Sequence, residues 1–220
     1  MRYIALDIGN VLIPINFDSF LNKLSRELNI ARSDAFYFLS RTQKLHDLGI
    51  TSLVDELRDH FKLRSEPIIE EIVQEWSDII YFDNKVLDHI NFLLSDPDIK
   101  VALLSNMGLE HSKVLFNGPQ TKRWANIFGK SIKFLSCDVG ARKPNKLFFQ
   151  SFLMDYPEFR GCVYVDDLQN NLNTATNYGF EAIPFDLNDY SVAKNLKKDF
   201  KESEFKASWF KIKSFIGEEK

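Results

Sequence analysis

Four polar clusters in this 220-residue chain each come after a short apolar run: Asp7 after residues 3–6, Ser105-Asn106 after residues 101–104, Lys143 beyond Phe134 and Leu135, and Asp166-Asp167 after residues 163–165. Taken singly, an Asp or Ser in such a place is a common loop former or helix cap. Taken together, the residue types define a chemistry. Carboxylates facing one another repel unless a cation sits between them, and oxygen-only donors favour Mg²⁺ over softer metals. Lys143 would neutralise further charge. A metal, a lysine, a hydroxyl and the backbone N–H groups beside Ser105 make a cradle for a phosphoryl group and leave one carboxylate free to attack it. Positioning and charge stabilisation then supply most of the catalysis.

For these side chains to meet, the runs before them must be strands of one parallel sheet, because the carboxyl ends of such strands carry the sites of open α/β folds. Residues 3–6, ending at Asp7 and Gly9, read as a buried parallel strand. Further strands are predicted at 101–104, 132–135, 161–165 and 181–185, with helical patterns at 145–155 and 170–178. This alternation predicts an α/β fold built on a doubly wound parallel sheet. After the first strand the period changes: Phe17, Phe20, Leu21, Leu24 and Leu28 form one helical face, and Ile68, Ile69, Ile72, Val73 and Trp76 another. Between them, Ser52 with Asp55 resembles a capping box opening a helix through Phe61, and Pro67 suits the first turn of the next. Val86, Leu87, Ile90, Leu93 and Leu94 continue at helical spacing over 84–95, before the turn Asp96-Pro97-Asp98. The expected organisation is a core of residues 1–14 and 83–220 with a helical insertion at 15–82. No Gly/Ser-rich linker separates them, so close packing is expected.

Composition narrows the function classes. The chain is 45% hydrophobic and 27% charged, enough to bury a core, and its net charge of −3 comes without a basic stripe, which argues against nucleic acid as a ligand. Cys137 and Cys162 lack the pairing of a disulfide framework or zinc site and are expected as core thiols in a reducing compartment. Asp7 interrupts the first apolar run and no small-residue cleavage site follows, so a strand is expected there rather than a signal peptide. No stretch approaches the roughly 18 apolar residues of a membrane span. A cytoplasmic protein with no membrane partner is expected, of unspecified oligomeric state. From Lys194 onward eight Lys face five acids, and Phe205, Trp209, Ile212 and Ile216 form a stripe, expected as a terminal helix docked on the sheet.

The four clusters, in order, resemble the motifs of the haloacid dehalogenase (HAD) superfamily: DIGNVL at 7–12, LLSN at 103–106, RKP at 142–144 and VDDLQNN at 165–171. The likeness runs from Met1 to about Phe185, and the insertion resembles that superfamily's C1-type cap. The first motif, D-x-G-N-V, is similar to that of a branch including bacterial sugar-1-phosphate phosphatases such as α-D-glucose-1-phosphate phosphatase. The resemblance implies a Mg²⁺-dependent phosphomonoester hydrolase acting on a small phosphorylated metabolite, with Asp7 as nucleophile and metal ligand and the carbonyl of Gly9 as a further ligand. It implies that Ser105 and the N–H of Asn106 hold phosphate oxygens and that Lys143 bridges nucleophile and phosphate. Asp167 would coordinate Mg²⁺, Asp166 would be a direct or outer partner of the metal, and Asn171 would orient the loop.

One residue departs from the pattern. Most phosphatases of the superfamily carry a general acid two residues after the nucleophile, and this chain has Gly9. The expected consequence is a preference for leaving groups that need little protonation, such as anomeric sugar phosphates or acyl phosphates. A catalytically silent binding or regulatory protein stands as an alternative, and a dehalogenase, which needs no metal, as a weaker one. A response-regulator receiver is excluded, since its acidic pair lies on the first strand and its length is far shorter. His46, His60, His89 and His111 lack ligand spacing; His111, just after the second motif, is expected to pack or cap rather than edge a pocket. Phe36, Tyr37, Phe38 and Trp76 are expected in the core of the insertion, which also supplies substrate contacts.

Overall fold

A computed structural model describes residues 1–80, 86–88, 90–91, 96–117, 128–190 and 201–217. Its strands are β1 (Arg2–Leu6), β2 (Ile99–Ser105), β3 (Ile132–Leu135), β4 (Val163–Asp166) and β5 (Glu181–Pro184). They form one parallel sheet in the order β3-β2-β1-β4-β5. Leu6 lies between Leu103 and Val165 in register, so Asp7 leaves the centre of the sheet. The chain winds to one side of β1 and then to the other, which opens a crevice at the carboxyl end of β1. The predicted strand at 161–165 starts two residues late because Gly161 has φ 80, a turn conformation outside the strand region.

Alternation along the strands divides the core into two layers. Ile4, Leu6, Leu103 and Val165 face one, and Ala5, Ala102, Leu104 and Tyr164 the other. The alanines on the second face leave room for Phe148, Phe149 and Phe152, all three buried on a helix over Lys146–Asp155; the rings of Phe148 and Phe152 each meet Phe134 edge-on at 5.2 Å. The first face takes the helix Glu202–Gly217, whose Phe205, Trp209, Ile212 and Ile216 are all buried, with Trp209 5.1 Å from Phe185. The expected docking of the terminal helix is observed.

Between β1 and β2 the described residues include the helices α1 (Phe17–Leu28), α2 (Arg32–Asp47), α3 (Leu53–Phe61) and α4 (Glu66–Asp78). Asn16 caps α1, and Asn29 in the left-handed region ends it. At α3 the Ser52 hydroxyl accepts from Asp55 N–H at 3.1 Å, the first half of the expected capping box, and donates to the Asp55 carboxylate at 2.6 Å, which takes the hydroxyl in place of the Ser52 backbone N–H. Pro67 sits in the first turn of α4. Ile15 and Ile80 form an antiparallel bridge at the base of the insertion, and its core (Phe20, Leu24, Phe38, Leu57, Ile72, Trp76) is continuous with the first layer of the sheet. Phe36 and Tyr37, expected in that core, are exposed, because they point off the face that buries Ala35, Phe38 and Leu39. Of the predicted helix at 84–95, the described residues 86–88 and 90–91 are helical with Val86, Leu87 and Ile90 buried; the rest, His89, Leu93 and Leu94 included, lies outside the described residues. Among the described residues no helix is long and apolar enough to cross a membrane.

Candidate active site

Asp7 stands at the crevice with its backbone N–H donating to the Val165 carbonyl at 2.9 Å, which ties it to β4 as well as β1. Its Oδ1 accepts Ile8 N–H at 2.7 Å and lies 3.0 Å from Lys143 Nζ. Lys143 Nζ also reaches Asp166 Oδ2 at 2.7 Å, and its side chain is 1% exposed. The sheet thus brings the residues of the first, third and fourth motifs into direct contact. Burial opposes the charge of Lys143, yet the two carboxylates beside it prevail and hold its pKa above the ordinary value.

The two acids of the fourth motif differ. Both oxygens of Asp166 are occupied: Oδ1 accepts from Leu168 N–H at 2.8 Å and Asn171 Nδ2 at 2.9 Å, and Oδ2 from Lys143, Asn171 and the Tyr164 hydroxyl. Burial works against its charge, but Lys143 and these bonds lower its pKa. Among the described residues Asp167 accepts only Asn10 Nδ2, at 3.2 Å. Burial, then the charges of Asp7 and Asp166, push its carboxyl up to about 7; burial does the same to Asp7, up to about 6. Ligand oxygens of Asp7, Asp166 and Asp167 lie within 4.8 Å of one another. Three carboxylates with one lysine leave unbalanced negative charge on an all-oxygen donor set, which fits a hard divalent cation.

Ser105 ends β2, buried, and the next residue braces the third motif: Asn106 Nδ2 donates to the Lys143 carbonyl at 2.9 Å, and Lys143 N–H donates to Asn106 Oδ1 at 2.8 Å. Next to Asp7 in the chain, Ile8 and Gly9 line a small pocket open to solvent, with Ser105 and Asn106 also on the sheet side and Phe17, Gln43 and Trp76 from the insertion. Gly9 has no room to spare, since a Cβ there would stand 2.6 Å from Ile15 Cδ1, the end of a flexible side chain.

Several residues of the site went unread in the sequence. Asn10, at φ 52, ties the first motif to Asp167, and its carbonyl accepts Leu187 N–H at 2.6 Å. Tyr164 bonds both Lys143 and Asp166; its signal was its place two residues before a strand-end acid, on the same face of the strand. Asp47, at the end of α2, is paired with Arg142, whose Nη2 and Nε lie 2.8 and 3.2 Å from Asp47 Oδ2. Its backbone carbonyl accepts the Ser136 hydroxyl, which in turn accepts Met107 N–H. His111 does edge the pocket as well as pack: its Nε2 bonds the Trp76 carbonyl at 2.7 Å, its ring lies 4.5 Å from that of Trp76, and burial pushes its pKa down to about 4.

No protein-family model matches the chain, and no curated protein sequence does. Solved structures match it. A protein of Porphyromonas gingivalis, described as a predicted HAD-like family hydrolase, is 20% identical, with 84% of this chain and 91% of that one covered at TM-score 0.69. A HAD family enzyme of Bacteroides thetaiotaomicron, in complex with magnesium and inorganic phosphate, is 18% identical over 84% and 93% of the two chains at TM-score 0.69. The L-2-haloacid dehalogenase of Xanthobacter autotrophicus is 14% identical over 84% and 77% at TM-score 0.53. The likeness shows the fold: the chain has the α/β architecture of HAD-like hydrolases.

Proposed function

We propose that this chain is a Mg²⁺-dependent phosphomonoester hydrolase that acts on a small phosphorylated metabolite, a sugar phosphate favoured, through an aspartyl-phosphate on Asp7. The observation that carries the reading is Lys143 held between Asp7 and Asp166 with the less encumbered Asp167 alongside. Asp7 Oδ1 is steadied by Ile8 N–H and Lys143, which orients the carboxylate for attack by its other oxygen. Lys143 neutralises charge on the transferred phosphoryl group, and Ser105 with the N–H of Asn106 binds its oxygens. Asp7, Asp167 and the Gly9 carbonyl would hold Mg²⁺, with Asp166 acting from behind through Lys143. When bound, the cation supplies charge neutralisation at the phosphoryl oxygens.

The magnesium and phosphate bound by the Bacteroides enzyme support this reading over dehalogenation, as does an acidic pair that a metal-free reaction does not need. Gly9 supports the preference for anomeric or acyl phosphates, since no acid stands there to protonate a poor leaving group. It also favours a second reading, a catalytically silent binding protein. Residues 15–82 would serve as the cap over the substrate. Phosphate release from a panel of phosphomonoesters, with Mg²⁺ or EDTA and with native chain or Asp7→Asn, tests the proposal. Turnover that needs both Mg²⁺ and Asp7 is expected; Mg²⁺ binding without release from any ester would establish the silent reading instead.

A further inference from the structure

Resting on the hydrolase reading, a finer conclusion comes from the pocket wall. Three residues that line it carry a polar group with no hydrogen-bond partner among the described residues: the Gln43 amide, Asp47 Oδ1 and His111 Nδ1. Asp47 is 5% exposed, so its free oxygen has little besides the pocket to turn to. Both acceptors keep some contact with solvent, so a ligand hydroxyl that takes the place of water there is selected over a group that displaces the water and leaves them unpaired.

The protonation of each acceptor follows from its neighbours. A carbonyl cannot donate, so the bond to Trp76 places the proton of His111 on Nε2 and leaves Nδ1 as a lone-pair acceptor. Burial keeps the ring neutral, in agreement with that tautomer. Asp47 Oδ2 is engaged twice by Arg142, which balances its charge, while Oδ1 stays an acceptor. No Lys or Arg is among the described residues lining the pocket, and the nearby cations Arg142 and Lys143 are already paired with acids. An anionic leaving group would therefore find no counter-charge, and a cationic one only a carboxylate already neutralised.

We propose that His111 and Asp47 are specificity-determining residues that accept hydroxyl hydrogens from the leaving group, and that the pocket selects an uncharged, hydroxyl-bearing organic moiety and rejects one carrying a carboxylate. Trp76 and Phe17 add the apolar wall that the carbon skeleton of such a group needs.

A matched pair of substrates tests this: a neutral hexose 1-phosphate and the uronic acid 1-phosphate of the same stereochemistry. In the native chain kcat/KM is expected to favour the neutral ester at least 100-fold. His111→Phe keeps an aromatic ring beside Trp76 but removes the acceptor, and should raise KM for the neutral ester about tenfold with kcat within threefold; His111→Asn, which restores an acceptor, should recover most of the loss. Equal turnover of the two esters, or an unchanged KM in His111→Phe, would overturn the inference. Calorimetric titration of Asp7→Asn with each ester in Mg²⁺ separates this inference from the reading it rests on. Tighter binding of the neutral ester, lost in Asp7→Asn/His111→Phe, upholds the pocket chemistry even if no ester is hydrolysed. Equal binding overturns it even if hydrolysis is fast.

Discussion

Lys143 is the residue on which the site depends most, since among the described residues it is the one cation between Asp7 and Asp166. Lys143→Met strands two buried carboxylates, and such a loss costs about 3–5 kcal/mol. Urea denaturation should show that drop in EDTA, and a smaller one with Mg²⁺ present. Gly9 makes the opposite kind of prediction. Gly9→Asp combined with Ile15→Ala, which clears the methyl 2.6 Å from the new Cβ, supplies the missing acid. Steady-state rates on an alkyl phosphate should rise about 10–100-fold, and on an anomeric phosphate far less, because general acid help is worth most to the poorer leaving group. At this scale the sequence was legible where a polar residue ends an apolar run, as at Asp7, Ser105 and Asp166-Asp167, and at Lys143 through the motif it belongs to. It was mute where the partner is remote or looks like something else. Tyr164 reads as an ordinary strand aromatic, and Asp47 as a surface acid, its Arg142 being 95 residues away.

Among the elements, the end of α2 and the turn after it tie the insertion to the sheet. Asp47 meets Arg142 and Ser136, Leu53 N–H donates to Glu110 at 3.0 Å, and neither Gly49 nor Gly108 has space for a side chain: a Cβ would stand 3.1 Å from the Cys137 and His46 carbonyl oxygens respectively. Arg142→Ala leaves Asp47 buried without its counter-ion, and hydrogen exchange should quicken at residues 46–53 while the strands keep their protection. Exchange unchanged there would show that the glycine contacts alone hold the turn. Helices α1, α3 and α4 were readable from apolar spacing, caps and proline. Helix α2 was not, because Thr42, His46 and Asp47 occupy its buried face and break the apolar stripe that periodicity needs. The strands were readable as apolar runs, with Gly161 misplaced because its turn conformation leaves no mark on hydrophobicity.

For the whole molecule, the carboxylates of buried Asp7 and half-buried Asp167 make stability depend on pH. Asp7 and Asp167, ordinarily near 3.8, keep their protons up to about 6 and about 7 in the folded chain. Between about pH 4 and 7 the folded state therefore binds more protons than the unfolded one, and their contribution to stability falls as pH rises through that window. His111 acts in the other sense: its folded pKa near 4 against 6.5 unfolded makes stability rise with pH over that interval. In the proposed mechanism Mg²⁺ would compete with protons for Asp7 and Asp167, so it should stabilise more at about pH 8 than at about pH 5. At 100 times its Kd the gain is about 2.7 kcal/mol, or about 5–10 °C in Tm for a chain of this size, readable by scanning calorimetry. An equal shift at both pH values would place the cation elsewhere. The α/β class and doubly wound sheet were legible as alternating runs, whereas the strand order, and with it the crevice at β1, arises from crossovers that no local pattern encodes.

The proposed hydrolysis passes through a covalent bond from Asp7 to phosphorus, and a chemical trap detects that bond directly. Native chain quenched during turnover and treated with borohydride should carry homoserine at position 7, the reduction product of an aspartyl-phosphate, and the peptide from Asp7→Asn should be unmodified. Phosphate release in the native chain with position 7 recovered as unmodified aspartate, or release that persists in Asp7→Asn, would contradict the account.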